Sequence, residues 1–95
     1  MAKDSLRIPP QSIESERGLL GALLLKPDAI HDVSDLIRPD SFYVEKHRLI
    51  FESMRELTDR SEPIDLLSLS EHLQGRGTLE RVGGRAFIAE LVNSA

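Results

Sequence analysis

Cysteine and tryptophan are missing from this 95-residue chain, and only Phe42, Tyr43, Phe51 and Phe87 are aromatic. Without cysteine there is neither a disulfide nor a thiolate metal site, and a reducing compartment is the simpler expectation. Four aromatics are too few to fill a core and also build a platform for stacking bases. The longest uninterrupted apolar run, Ala22 to Leu25, falls far short of a membrane span. The opening Met1-Ala2-Lys3-Asp4-Ser5 lacks the apolar stretch of a secretory signal, so a cytoplasmic protein with no membrane partner is expected. Basic residues are outnumbered, twelve against sixteen acids, for a net charge of −4, which disfavours tight nucleic-acid binding. The 40% hydrophobic and 29% charged side chains suit one water-soluble domain with a small core.

What is present is helical punctuation. Residues 1–11 are polar and end in Pro9-Pro10, which reads as an extended arm, and residues 12–95 read as the helical domain. Ser12 is placed to cap a first helix, with Glu14 and Glu16 in its first turn and Ile13, Leu20, Leu23 and Leu24 on its apolar face. Gly21 sits in the middle of that helix, where it costs about 1 kcal/mol against alanine, so a close helix–helix approach is expected there. Pro27 stops it, and a short second helix with Ile30, Val33 and Ile37 on one face ends before Pro39. The third helix carries the clearest stripe, His47, Ile50, Phe51, Met54 and Leu57. Arg48 with Glu52, and Glu56 with Arg60, stand at the spacing of intrahelical ion pairs.

Beyond a turn at Ser61-Glu62-Pro63, Asp65 caps a fourth helix with Leu66, Leu69 and Leu73 inside and Gly75 at a left-handed end. Thr78 to Val82 reads as one helical turn, broken by Gly83-Gly84, and a last helix runs from about Arg85 to Asn93. On that helix Gly84, Ile88, Leu91 and Ala95 form the inward face. Phe87 lies at its edge beside Glu90, a position that suits either a cap on the core or an aromatic anchor rimmed by an acid. The fold class is all-α, a compact globular bundle of five or six short helices.

Chemistry is sparse. His31, His47 and His72 stand alone in their segments, with no metal-binding spacing. No serine sits in a nucleophile elbow, and paired acids such as Glu14/Glu16 and Asp32/Asp35 are helix-surface charges. Gly75-Arg76-Gly77 and Gly83-Gly84 lack the spacing of a phosphate loop. No catalytic, cofactor-binding or metal-ligating residue is assigned. Ser12, Gly21, His47, Phe51, Asp65, Gly83 and Gly84 are expected to be structural, and Phe87 with Glu90 form a candidate partner contact. Leu66 to Val82 also admits a helix-turn-helix reading, with Arg76, Arg81 and Arg85 towards phosphates and a free-standing DNA-binding domain as the consequence.

The order of the short blocks is more specific than any of them. Ile8-Pro9-Pro10-Gln11-Ser12-Ile13-Glu14-Ser15-Glu16 leads to Leu20-Gly21-Ala22-Leu23-Leu24. Phe42-Tyr43, His47, Ile50-Phe51 and Met54 follow, then Glu62-Pro63-Ile64-Asp65 and Leu79-Glu80 with Gly83-Gly84. Together these resemble the N-terminal domain of bacterial replicative DNA helicases, hexameric rings with a RecA-like motor. The resemblance implies a non-catalytic head for assembly and partner docking, contributing to an N-terminal collar and to contact with the C-terminal helicase-binding region of primase. It also implies that Ala95 falls about where a helical hairpin begins. The motor, with its ATP and magnesium, would then lie outside this chain, and DNA would be met only through the parent ring.

Overall fold

Five α-helices and two 3₁₀ turns account for the regular structure of the chain, described over residues 10–95 by a computed structural model. No strand occurs among the described residues, in agreement with the all-α expectation. Over residues 1–9 the expected arm lies outside the described residues.

Helix α1 spans Pro10–Leu25. Proline is suited to a first helical position, since it lacks the amide that would be orphaned there and its φ is already helical. The helix therefore starts earlier than expected, and Ser12 lies inside its first turn rather than at its cap. Leu20 and Leu23 are buried, whereas Ile13, expected inside, is exposed. A 3₁₀ turn at Pro27–Ala29 leads into the single-turn α2, Ile30–Val33, which buries Ile30. A second 3₁₀ turn, Pro39–Ser41, precedes α3, Glu45–Asp59.

The stripe of α3 is buried throughout, from His47 through Ile50, Phe51 and Met54 to Leu57. Its polar side does not form the expected intrahelical pairs. Arg48 instead donates to the carbonyls of Phe42 and Tyr43 at 2.9 and 2.8 Å, while Glu56 reaches across to Arg76 of the next helix at 2.6 Å. Loose carbonyls and a neighbouring guanidinium compete successfully with an i,i+4 pair worth only about 0.3–0.5 kcal/mol.

Helix α4, Leu66–Gly75, begins as expected: the Asp65 carboxylate accepts from the Ser68 amide at 2.8 Å, and the Asp65 amide donates to Ser68 Oγ at 3.1 Å. Leu69 and Leu73 are buried, but Leu66 is exposed beside the still more exposed Leu67. The left-handed residue after α4 is Gly77, not Gly75. Residues 78–83 form turns closed by the Val82 amide on the Thr78 carbonyl at 3.1 Å, short of a helix. Helix α5, Gly84–Asn93, buries Ile88 and Leu91.

Helices α1 and α5 cross in close contact at Gly21. A Cβ placed on Gly21 would lie 1.9 Å from the Leu91 carbonyl oxygen, so the two backbones meet only because position 21 has no side chain. Gly18 faces the end of the same helix at ordinary contact distance, its Cβ position 3.4 Å from the Ser94 carbonyl oxygen. The two glycines should therefore separate in urea unfolding. Gly21→Ala is expected to cost roughly 2–3 kcal/mol by overpacking. Gly18→Ala is expected to be neutral or to stabilise by up to about 1 kcal/mol through helix propensity.

Candidate functional site

The N-terminal end of α3 has no capping side chain of its own. Glu16 of α1 substitutes for it. One carboxylate oxygen accepts from the Tyr43 amide at 2.6 Å, and the other accepts from the Val44 amide at 3.4 Å and stands 2.7 Å from His47 Nδ1. A negative charge at this place also complements the positive end of the α3 dipole.

His47 is fully buried, and Nε2 has no hydrogen-bond partner among the described residues. The arrangement selects the tautomer with the proton on Nδ1, donating to Glu16, and leaves Nε2 as a lone pair in apolar surroundings. Burial holds the imidazole below its ordinary value of 6.5. The hydrogen bond and charge of Glu16 oppose this, while Lys46 and Arg17 reinforce it. The ring stacks on Phe87 of α5, centroids 6.1 Å apart and planes 13° apart, and meets Phe42 edge-on at 6.4 Å.

Phe87 is half-buried against the core. Lys46 Nζ lies 3.9 Å from its ring centroid and the Arg17 guanidinium carbon 5.7 Å from it, within the range of cation–π attraction. Gly83 stands behind this placement: at φ +108° it starts α5, and a Cβ there would come within 2.7 Å of Phe87 Cβ. Glu90, one turn on, has a side chain 65% exposed and 3.9 Å from Arg17, a contact too solvated to contribute much. Phe87 and Glu90 thus lie on one surface of α1, α3 and α5, with Phe87 tied to the interior and Glu90 directed to water.

A second polar cluster joins α3 to α4. Ser53 Oγ lies 2.9 Å from His72 Nδ1, and His72 Nε2 lies 3.1 Å from Glu56. Arg76 completes the cluster by binding Glu56 at 2.6 Å and Glu52 at 3.5 Å. His72 is therefore largely enclosed, not the surface residue its sequence position suggests. The serine, histidine and carboxylate are in triad order, but Ser53 is 1% exposed, so no substrate carbonyl can reach its hydroxyl. The cluster is a helix–helix seam.

The glycine loops do not fit a nucleotide. The amides a phosphate would need are engaged in turns: Gly77 donates to Gln74, Gly83 to Glu80 and Gly84 to Leu79. The helix-turn-helix reading loses its recognition helix to the turns at 78–83. It also loses two arginines, Arg76 to the seam above and Arg81 to Glu45 at 2.8 Å. No group of three or more histidine or carboxylate side chains that could hold a metal occurs among the described residues, nor any helix long and apolar enough to cross a membrane.

The sequence model of a family described as "DnaB-like helicase N terminal domain" matches residues 8–95. Replicative DNA helicase DnaC of Bacillus subtilis is 41% identical over 88 residues, 93% of this chain and 19% of its own length. Replicative DNA helicase DnaB of Buchnera aphidicola subsp. Schizaphis graminum is 45% identical over 86 residues, 90% of this chain and 18% of its own. The chain thus spans about a fifth of the length of these curated relatives. The crystal structure of the N-terminal domain of DnaB helicase from Mycobacterium tuberculosis superposes with a TM-score of 0.87 at 36% identity, covering 92% of this chain and 63% of that one.

The Glu16–His47 junction makes stability pH-dependent. Because His47 is held below 6.5 in the folded state, the unfolded chain takes up a proton that the folded chain refuses between that lowered value and 6.5. The stability that neutral His47 supports is therefore complete above about pH 6.5 and declines as the pH falls below it. Urea midpoints measured near pH 7.5 and about pH 5.5 should fall in that order, and His47→Gln should reduce the difference.

Proposed function

Because the chain belongs to the DnaB-like helicase N-terminal domain family, we propose that it is a non-catalytic head domain of a replicative DNA helicase, serving assembly of the helicase ring and docking of a partner. The partner in this reading is primase, through its C-terminal helicase-binding region. The other helicase subunits meet the same head in an N-terminal collar. We assign ATP, magnesium and the gripping of DNA to the motor of the parent helicase and not to these residues.

The observation that carries the docking part is the surface around Phe87. It offers an aromatic ring held in place by His47 and Gly83, cations of α1 and α3 against that ring, and exposed Glu90 at its edge. A preorganised aromatic beside charges of both signs binds without first having to be ordered, which is how a few residues come to dominate an interface.

Two substitutions in the full-length helicase test this. Glu90→Lys, at an exposed position, should leave the melting temperature almost unchanged and weaken primase binding at least several-fold. Phe87→Ala should weaken it more per folded molecule. Unchanged affinity in both would remove the docking site from this face. Nucleotide hydrolysis by the isolated 95-residue chain should be indistinguishable from buffer, since no phosphate cradle is built among the described residues; turnover that follows the chain through purification would refute the non-catalytic reading.

A further inference from the structure

The cations around Phe87 are provided for differently from those elsewhere on α3 and after it. Arg48, Arg76 and Arg81 are each spent on a carbonyl or carboxylate at 2.6 to 2.9 Å. Lys46 makes no ion pair among the described residues. The acids that stand nearest to it are taken. Glu45, its neighbour in sequence, is held by Arg81 at 2.8 Å, and Glu16, at the same end of α3, serves His47 and two amides. The ammonium rests instead 3.9 Å from the centre of the Phe87 ring.

Arg17 approaches the same ring from α1, at 5.7 Å, and is scarcely better supplied. Its contact with Glu90 is 3.9 Å long and solvated, and its Nε is buried without an acceptor among the described residues. Both cation–π contacts among the described residues therefore fall on one ring. Other cations without an ion pair there, such as Arg60 and Arg85, are exposed and have no ring beneath them.

A lysine left to itself keeps its ammonium in water. Half-buried over an aromatic face, that of Lys46 has given up part of its hydration for the ring quadrupole alone. A carboxylate brought to it gains a charge-assisted hydrogen bond from a cation that is already placed. The chain as a whole carries −4, so this preference for an acid is local and opposite in sign to the overall charge. It selects a register of docking, not a distant encounter.

We propose that Lys46, seconded by Arg17, is the specificity-determining cation of the Phe87 face and receives an aspartate or glutamate side chain of the docking partner. The inference rests on the docking reading above and adds the partner's chemistry and orientation. The partner sets its carboxylate beside the apolar group that covers Phe87. Glu90 belongs to the next turn of α5, so a partner cation meets α5 while the partner acid meets α3, and the two signs permit one direction of approach.

The test is primase affinity, per folded molecule, of the full-length helicase carrying Lys46→Met, Lys46→Arg or Arg60→Gln. Arg60 is an exposed cation just past the far end of α3. Methionine keeps an apolar stem against the ring and removes the charge. Lys46→Met should melt like the parent, bind at least about five-fold more weakly, and lose less affinity than the parent does as salt is added. Lys46→Arg and Arg60→Gln should bind within about two-fold of the parent. Parental affinity in Lys46→Met would overturn the proposal. So would a loss with unchanged salt dependence, because the lysine would then act through packing alone. If only this proposal fails, Phe87→Ala and Glu90→Lys still weaken binding. If neither of those does, the docking reading fails and takes this proposal with it.

Discussion

A single carboxylate at Glu16 decides how three helices meet. It stands in for the missing cap of α3, fixes the tautomer of His47, and through that imidazole sets the surface on which Phe87 of α5 rests. Hydrogen bonds to a charged acceptor contribute about 1.5–3 kcal/mol each when buried, more than most single contacts in so small a domain. Helix α1 is thereby tied to the start of α3 at one point and to α5 at another, where Gly21 admits the Leu91 carbonyl. With those points set, the leucine and isoleucine stripes have one way to interdigitate.

The junction also carries a cost. His47 Nε2 is buried without a partner among the described residues, in a chain with several better-solvated places for a histidine. A wholly apolar residue would avoid the orphaned nitrogen but would leave Glu16 without its side-chain partner. A polar junction of this kind can fix register as well as add stability. Here the register is that of α5 against α3, which decides where Phe87 and Glu90 stand. The link from fold to docking is therefore local: the same contacts that close the head also present its candidate face.

Much of the architecture was legible in the sequence because it follows from periodicity and punctuation. The α3 stripe, the Asp65 cap, the Gly83-Gly84 break and the close approach at Gly21 are each local rules with one strong solution. The ordered blocks from Ile8 to Gly84 pointed to the helicase family. The misplacements have physical causes. Ser12 lost its cap because Pro10 begins a helix equally well, and Leu66 turned outward because Leu69 and Leu73 suffice to fill the α4 side of the core. In the sequence Glu16 is a surface charge near a helix start; its role depends on residues 27 to 31 positions away, which no local pattern encodes. The one available signal was His47 itself, since a histidine in a buried stripe must find a polar partner.

The account rests on Glu16 and His47 acting as one unit, and a double-mutant cycle measures that unit directly. Glu16→Ala, His47→Ala and the combined variant would be compared with the parent by urea unfolding near pH 7.5. The account predicts a coupling of at least about 1.5 kcal/mol, the double variant losing less than the sum of the singles. Losses that add within about 0.3 kcal/mol would contradict it, for the two side chains would then be neighbours without being partners.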